Sequence, residues 1–195
     1  SDSVQKQLLA QVEKALTKCD AVILQDYAKG VLSESCIQSI IQLSKKAGKK
    51  VLVDPHRTTP VTYYRGADLM KPNKDEAILL SGRALDDIRG EKIDEVGQDL
   101  MKKTGIANLV VTRGKDGVSL FEGNTTKKIP TYARAVFDVT GAGDTMIAAL
   151  AMGWAGGLSL EDSCYIANHA AGVVVGKVGC VPCSTAELIE SIKTT

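Results

Sequence analysis

The stretch DVTGAGDTMIAAL, residues 138–150, sets two glycines and an alanine directly before an aspartate and an apolar helix. Glycine costs backbone entropy, so Gly141 and Gly143 this close together call for unusual φ/ψ or for close approach to a ligand. The run from Thr145 to Leu150 reads as good helix. The loop therefore hands its N–H groups to a helix start, where donors lack intrahelical partners and the macrodipole is positive. An anion suits such a place. Asp144 there has two readings: an acid favoured by the dipole, or a carboxylate set beside the anion. Two familiar phosphate binders do not fit. A Walker A loop needs GxxxxGK[ST], which the chain lacks, and a dinucleotide fingerprint needs a third small residue where Met146 stands.

Asn73 and Glu76 form a second pair, NxxE, after an apolar run. At a helix start, positions i and i+3 share a face. The pair is either a capping box or a polar couple turned toward a ligand. VTRGKDG, residues 111–117, puts Thr112, Arg113, Gly114 and Gly117 at a strand end, where turn chemistry explains part of the glycine use. Asn168 lies in an apolar helix, as a satisfied core amide or a ligand contact, and His169 beside it reads as structural. Cys180 and Cys183 make one CxxC, which without a second pair or histidine partners is weak evidence for zinc.

The elements that must position these residues alternate along the chain. Val4, Leu8, Leu9, Val12 and Leu16 recur at helical spacing. AVILQD (21–26), KKVLVDP (49–55), ADLMKPN (67–73) and ANLVVTRG (107–114) read as buried strands. Helices are expected from Ser33 to Gly48 and over 75–82, 92–105, 160–179 and 185–192, with a hairpin over 116–132 turning at Gly123-Asn124. Strand–helix alternation means crossovers, a mostly parallel sheet and helices on both faces. Ligands in such sheets sit at the carboxyl ends of the strands. Asp26, Asp54, Asn73 and Thr112 all fall at those ends.

DYAKG (26–30), DP (54–55), KPNKDE (71–76), VTRGKDG (111–117), VxDxTGAGDT (136–145) and ANHAAGVVVGKVG (167–179) together resemble the ribokinase-like carbohydrate kinases, the PfkB family, over nearly the whole chain. The resemblance implies a three-layer α/β/α fold with a mostly parallel central sheet. It implies ATP and Mg²⁺ as cofactors, Asp144 as the base for the acceptor hydroxyl, and Gly141, Ala142 and Gly143 as an anion hole. Asn73, Glu76, Thr112, Arg113, Gly114, Gly117 and Asn168 would contact ATP, with Glu76 reaching Mg²⁺ through water. Asp26 and Lys29 would lie on the acceptor side, and Asp138 and Thr140 beside a K⁺ ion. Within the family the motifs are most similar to the branch that phosphorylates D-glycero-D-manno-heptose 7-phosphate to the 1,7-bisphosphate for ADP-heptose and lipopolysaccharide. Another sugar kinase of the family is the alternative.

Family kinases begin with sugar-binding strands and a small β lid, to which nothing here corresponds. Residues 1–195 are therefore expected to be the C-terminal nucleotide-binding and catalytic portion of one kinase domain. A nucleotide-binding module inactive without its N-terminal half is the second hypothesis. An uncovered sheet edge would favour homodimerisation or association with that portion. Net charge of +1 gives no bulk attraction to nucleic acid or acidic membranes, and 4% aromatics argues against base-stacking platforms. The apolar run from Met146 to Ala155 is too short to span a bilayer. Five dispersed cysteines point to a reducing, cytoplasmic setting.

Overall fold

The computed structural model describes residues 2–84, 92–133 and 136–194. In chain order the elements are α1 (Asp2–Leu16), β1 (Ala21–Gln25), α2 (Glu34–Lys46), β2 (Lys50–Asp54), β3 (Leu69–Met70), α3 (Lys74–Ser81), α4 (Ile93–Thr104), β4 (Asn108–Thr112), β5 (Val118–Glu122), β6 (Thr125–Ile129), α5 (Ala142–Ala155), α6 (Leu160–Val175) and α7 (Thr185–Lys193). Six strands form one sheet in chain order. β1 to β4 are parallel. β5 and β6, adjacent and joined by two residues, run antiparallel as so short a link requires. The arrangement is a three-layer α/β/α fold.

The chain divides into two compact units, Ser1–Val111 with Phe121–Thr125, and Thr112–Leu120 with Thr126–Thr195. In the first, Val51, Leu52 and Val53 are all fully buried, so both faces of β2 are covered, as helices on either side of a parallel sheet demand. Ile37, Ile40 and Ile41 of α2 and Ile93, Val96 and Leu100 of α4 supply the apolar stripes. Ser33 caps α2 by accepting from the Cys36 N–H, as its position in sequence predicts. Gly97 of α4 faces the ring of Phe121, and a Cβ at Gly97 would lie 2.3 Å from Phe121 Cζ. In the second unit α5 packs along α6, and α6 along α7.

Two boundaries depart from the pattern-based reading. The strand expected over 67–73 shrinks to Leu69–Met70, because Pro72 lacks the N–H a ladder needs. The helix expected to reach 179 stops at Val175, with Gly176 as its C-cap. No helix among the described residues is long and apolar enough to cross a membrane. The five cysteines are free thiols.

Candidate functional site

In the second unit, Gly141 is the N-cap of α5 and adopts φ +78°, ψ −1°. That left-handed conformation disfavours a side chain, and a Cβ there would lie 3.0 Å from Cys180 Sγ. The preceding loop is held by Asp138. Its Oδ1 accepts from the Thr140 N–H (2.9 Å) and hydroxyl (2.7 Å), and its Oδ2 accepts from the Gly179 N–H (3.0 Å). The Thr140 hydroxyl bond, followed by the two backbone donors, holds the Asp138 carboxyl below its usual range. Phe137 N–H donates to Val175 O at 2.8 Å, fixing the loop to the end of α6.

This turn presents the start of α5. Ala142 N–H donates to Val139 O (3.2 Å) and Thr145 N–H to Gly141 O (2.9 Å). The Gly143 N–H has no acceptor among the described residues. Asp144 sits in the first turn and is exposed. The sequence reading gave Gly141, Ala142 and Gly143 one shared task. Their backbones differ: Gly141 is left-handed, the Ala142 N–H bonds back into the turn, and the Gly143 N–H has no acceptor among the described residues.

The strand-end residues Thr112 to Gly117 belong to the same unit. Gly117 has φ +78°, ψ −130°, and a Cβ there would lie 2.1 Å from Ile129 O. Gly114 begins the short 3₁₀ turn, and Arg113 N–H donates to Gly117 O (2.8 Å). Arg113 Nε is buried with no partner among the described residues. Asn168, 6% exposed, donates from Nδ2 to Pro130 O at 2.6 Å, tying α6 to the hairpin exit. His169 stacks on Tyr132 with ring centroids 4.1 Å apart and meets the Ser191 hydroxyl at 2.9 Å. Burial lowers the His169 pKa. A cleft of about 570 Å³ beside α6 and α7 is lined by Tyr132, Gly172, Gly176, Glu190 and Ser191 among others, and Asp144 is not in its wall.

In the first unit the remaining candidates gather where β1, β2 and β3 end. Asn73 and Glu76 realise the capping box: Asn73 Oδ1 accepts from the Glu76 N–H (2.9 Å), and Glu76 Oε2 accepts from the Asn73 N–H (2.8 Å). Glu76 Oε1 takes no part in the box. Burial raises the Glu76 pKa, Asp54 raises it further, and the Asn73 N–H and Lys71 pull it down. Asp26 is 6% exposed and accepts from Tyr64 OH (2.6 Å), Thr59 Oγ1 (2.7 Å) and the Ala28 N–H (2.7 Å). Burial alone would raise the Asp26 carboxyl, but these donors together lower it. Burial and then Asp26 push Tyr64 well above the usual phenol range. Lys29 is exposed, and its backbone neighbour Ala28 has φ +52° in the turn that Asp26 closes.

Sequence reasoning missed Lys71. It is 3% exposed and paired with Asp54 at 3.0 Å, and Asp54 also accepts from Gln25 Nε2 at 2.9 Å. A lysine reads as surface, and only the strand register could have placed it here. Tyr64, fully buried and the shortest donor to Asp26, was missed because it lies in a single short 3₁₀ turn, Val61–Tyr64, too brief to show periodicity. Among the described residues no three His, Cys, Asp or Glu side chains cluster as a metal site.

The sequence pattern of the family described as pfkB family carbohydrate kinase matches residues 1–187. The bifunctional protein HldE of Trichlorobacter lovleyi is 42% identical over 193 residues, which are 98% of this chain and 39% of that protein. HldE of Haemophilus influenzae is 44% identical over 188 residues, covering 96% and 38% respectively. The chain thus spans about two-fifths of the length of these curated relatives. Among solved structures, Escherichia coli phosphofructokinase-2 in complex with potassium shares the fold, with TM-score 0.81 at 18% identity over 95% of this chain and 61% of that one. Arabidopsis thaliana ribokinase complexed with ribose and ATP gives TM-score 0.79 at 26% identity, covering 94% and 59%.

Proposed function

Because this chain belongs to the pfkB family of carbohydrate kinases, we propose that residues 1–195 form the nucleotide-binding and catalytic portion of an ATP-dependent sugar-phosphate kinase. The acceptor is a heptose 7-phosphate, phosphorylated at its anomeric hydroxyl to the 1,7-bisphosphate. The observation that carries the reading is the Gly141 turn. It aims the unengaged Gly143 amide outward from the positive end of a 14-residue helix and sets exposed Asp144 one residue beyond.

Asp144 takes the proton of the acceptor hydroxyl as that oxygen bonds to the γ-phosphorus and the bond to the β–γ bridging oxygen breaks. A carboxylate suffices as base, since phosphoryl transfer is loose and positioning with charge stabilisation dominates. The Gly143 amide leads the contacts to the transferring oxygens, with Ala142 held in the turn below it. Thr112, Arg113, Gly114, Gly117 and Asn168 are the nucleotide contacts of the second unit, and Asp26 and Lys29 serve the acceptor side. Glu76 Oε1, an oxygen outside the capping box, suits a cation that retains its water. When bound, Mg²⁺ neutralises phosphate charge. Asp138 and Thr140 are the proposed neighbours of K⁺. Their bonds to one another and to Gly179 already hold the loop, so K⁺ in place of Na⁺ is expected to change nucleotide affinity little. Five free thiols fit a cytoplasmic location.

Calorimetry with a non-hydrolysable ATP analogue and Mg²⁺, beside a coupled assay on heptose 7-phosphate, tests the reading. Asp144→Asn is expected to keep analogue affinity and lower turnover by a factor on the order of 100 or more. Near-normal turnover by that variant refutes the base assignment. Binding without turnover of any sugar phosphate favours the second reading, a nucleotide-binding module. That reading draws support from β1, whose outer edge has no strand partner among the described residues. Ile23, Tyr27 and Val31 are exposed beside it. Pairing of this edge with a second copy is the proposed self-association, to be read by sedimentation.

A further inference from the structure

Three strand ends form a row in the first unit. Gln25 stands opposite Asp54 in the β1–β2 register, and Val53 opposite Met70 in β2–β3, which puts Asp54 and Lys71 side by side one step on. The side chains link in the same order: Gln25 Nε2 to Asp54 Oδ2 at 2.9 Å, and Lys71 Nζ to the same oxygen at 3.0 Å. Lys71 N–H also donates to Val53 O at 2.8 Å, so its backbone is fixed as well. Two residues later Asn73 opens α3, and Glu76 folds back to accept the Asn73 N–H. Lys71 is thus bonded to Asp54, and its charge also acts on Glu76, five residues on at the start of α3.

We propose that Asp54 is a positioning residue: by holding Lys71, it keeps that ammonium off Glu76 and leaves the Glu76 carboxylate available to a hydrated divalent cation. The inference rests on the reading of Glu76 given above. A buried ammonium deprived of its carboxylate seeks another, because a buried unpaired charge is strongly unfavourable. With Asp54 neutralised, Glu76 is a carboxylate that the Lys71 charge already reaches, and a Lys71–Glu76 pair would compete with the cation. Removing both charges of the Asp54–Lys71 pair leaves Glu76 without a competitor.

The experiment measures calorimetrically how much Mg²⁺, against EDTA, strengthens binding of a non-hydrolysable ATP analogue to the whole chain. Asp54→Asn is expected to cut that Mg²⁺ enhancement at least tenfold, and Asp54→Asn with Lys71→Met to restore it to within about threefold of wild type. A purely structural role predicts no such restoration. Circular dichroism checks folding, and the charge-balanced double variant decides the matter even where Asp54→Asn does not fold. An unchanged enhancement in folded Asp54→Asn overturns the inference, as does its loss in the folded double variant. Glu76→Gln separates the levels: if it matches wild type, the reading of Glu76 fails and the inference falls with it. If Glu76→Gln loses the enhancement while Asp54→Asn keeps it, only the inference fails.

Discussion

Replacing Gly141 by alanine tests the turn that the proposed chemistry depends on. The residue sits at φ +78°, where an L side chain is strained by about 1–2 kcal/mol. The new Cβ would also meet Cys180 Sγ at 3.0 Å. Cys180 is exposed, so its sulfur can turn aside for about 0.5–1.5 kcal/mol of rotamer strain. Together these give a loss of about 1.5–3.5 kcal/mol. At about 2–4 °C per kcal/mol for a chain of this size, the melting temperature falls by about 3–14 °C. Gly157→Ala is the control, since Gly157 has φ +95° and nothing within 4 Å of its would-be Cβ. It should show the backbone strain alone. Adding Cys180→Ala to Gly141→Ala should bring the loss down to that of the control. Scanning calorimetry reads all four proteins, and calorimetric titration with an ATP analogue reads the consequence for the Gly143 amide. An alanine variant that melts within about 1 °C of wild type would mean that no left-handed turn exists there, and the anion site would go with it.

Gly117→Ala should be more damaging, by about 3 kcal/mol or more, because φ +78° with ψ −130° is essentially a glycine conformation and the clash is with the Ile129 carbonyl; denaturant unfolding measures it. Tyr64→Phe removes a 2.6 Å donor from Asp26 and should cost about 1.5–3 kcal/mol. Since the Asp26 pKa is lowered on folding, its contribution is present above the unfolded-state pKa and lost as pH falls through the folded value. The variant should therefore lose less stability on acidification, with the loss complete at a higher pH, and a superimposable profile would refute the role of Tyr64. Glu187 is paired with Lys177 at 2.5 Å and capped by Ser184, and its pKa is brought down to about 2. Its share of stability is lost as pH falls from about 4.5 toward 2. NMR titration should find the Glu187 carboxyl nearer its ordinary range in Lys177→Met.

Local chemistry made much of this legible in advance. Ser33 before an apolar period of three to four marks the start of α2, and Gly82 and Gly105 mark helix ends where they fall. The Gly141 turn could be read because glycine spacing, an aspartate and a helical run carry information at neighbouring positions. Register carries none at neighbouring positions. Lys71 meets Asp54 only because β2 and β3 align Val53 with Met70, and nothing near Lys71 in sequence announces it. Asp138 was read as a cation neighbour, and its tie to Gly179 spans 41 positions, beyond any local pattern. The Asn73–Glu76 alternatives were never exclusive: the capping box engages one Glu76 oxygen and leaves the other.

The packing of Phe121 against Gly97 bears on how this chain can be dissected. The ring is fully buried and completes the core around α4, yet it arrives after the chain has already left for Thr112–Leu120. A gene cut after Val111 would omit it. The first fragment would then lack a large aromatic plug, a deficit of about 3–5 kcal/mol by analogy with Phe→Ala in cores. Separate expression, fragment complementation or recombination with a cousin should therefore break after Thr125 rather than before Thr112, so that the ring travels with the helix it covers.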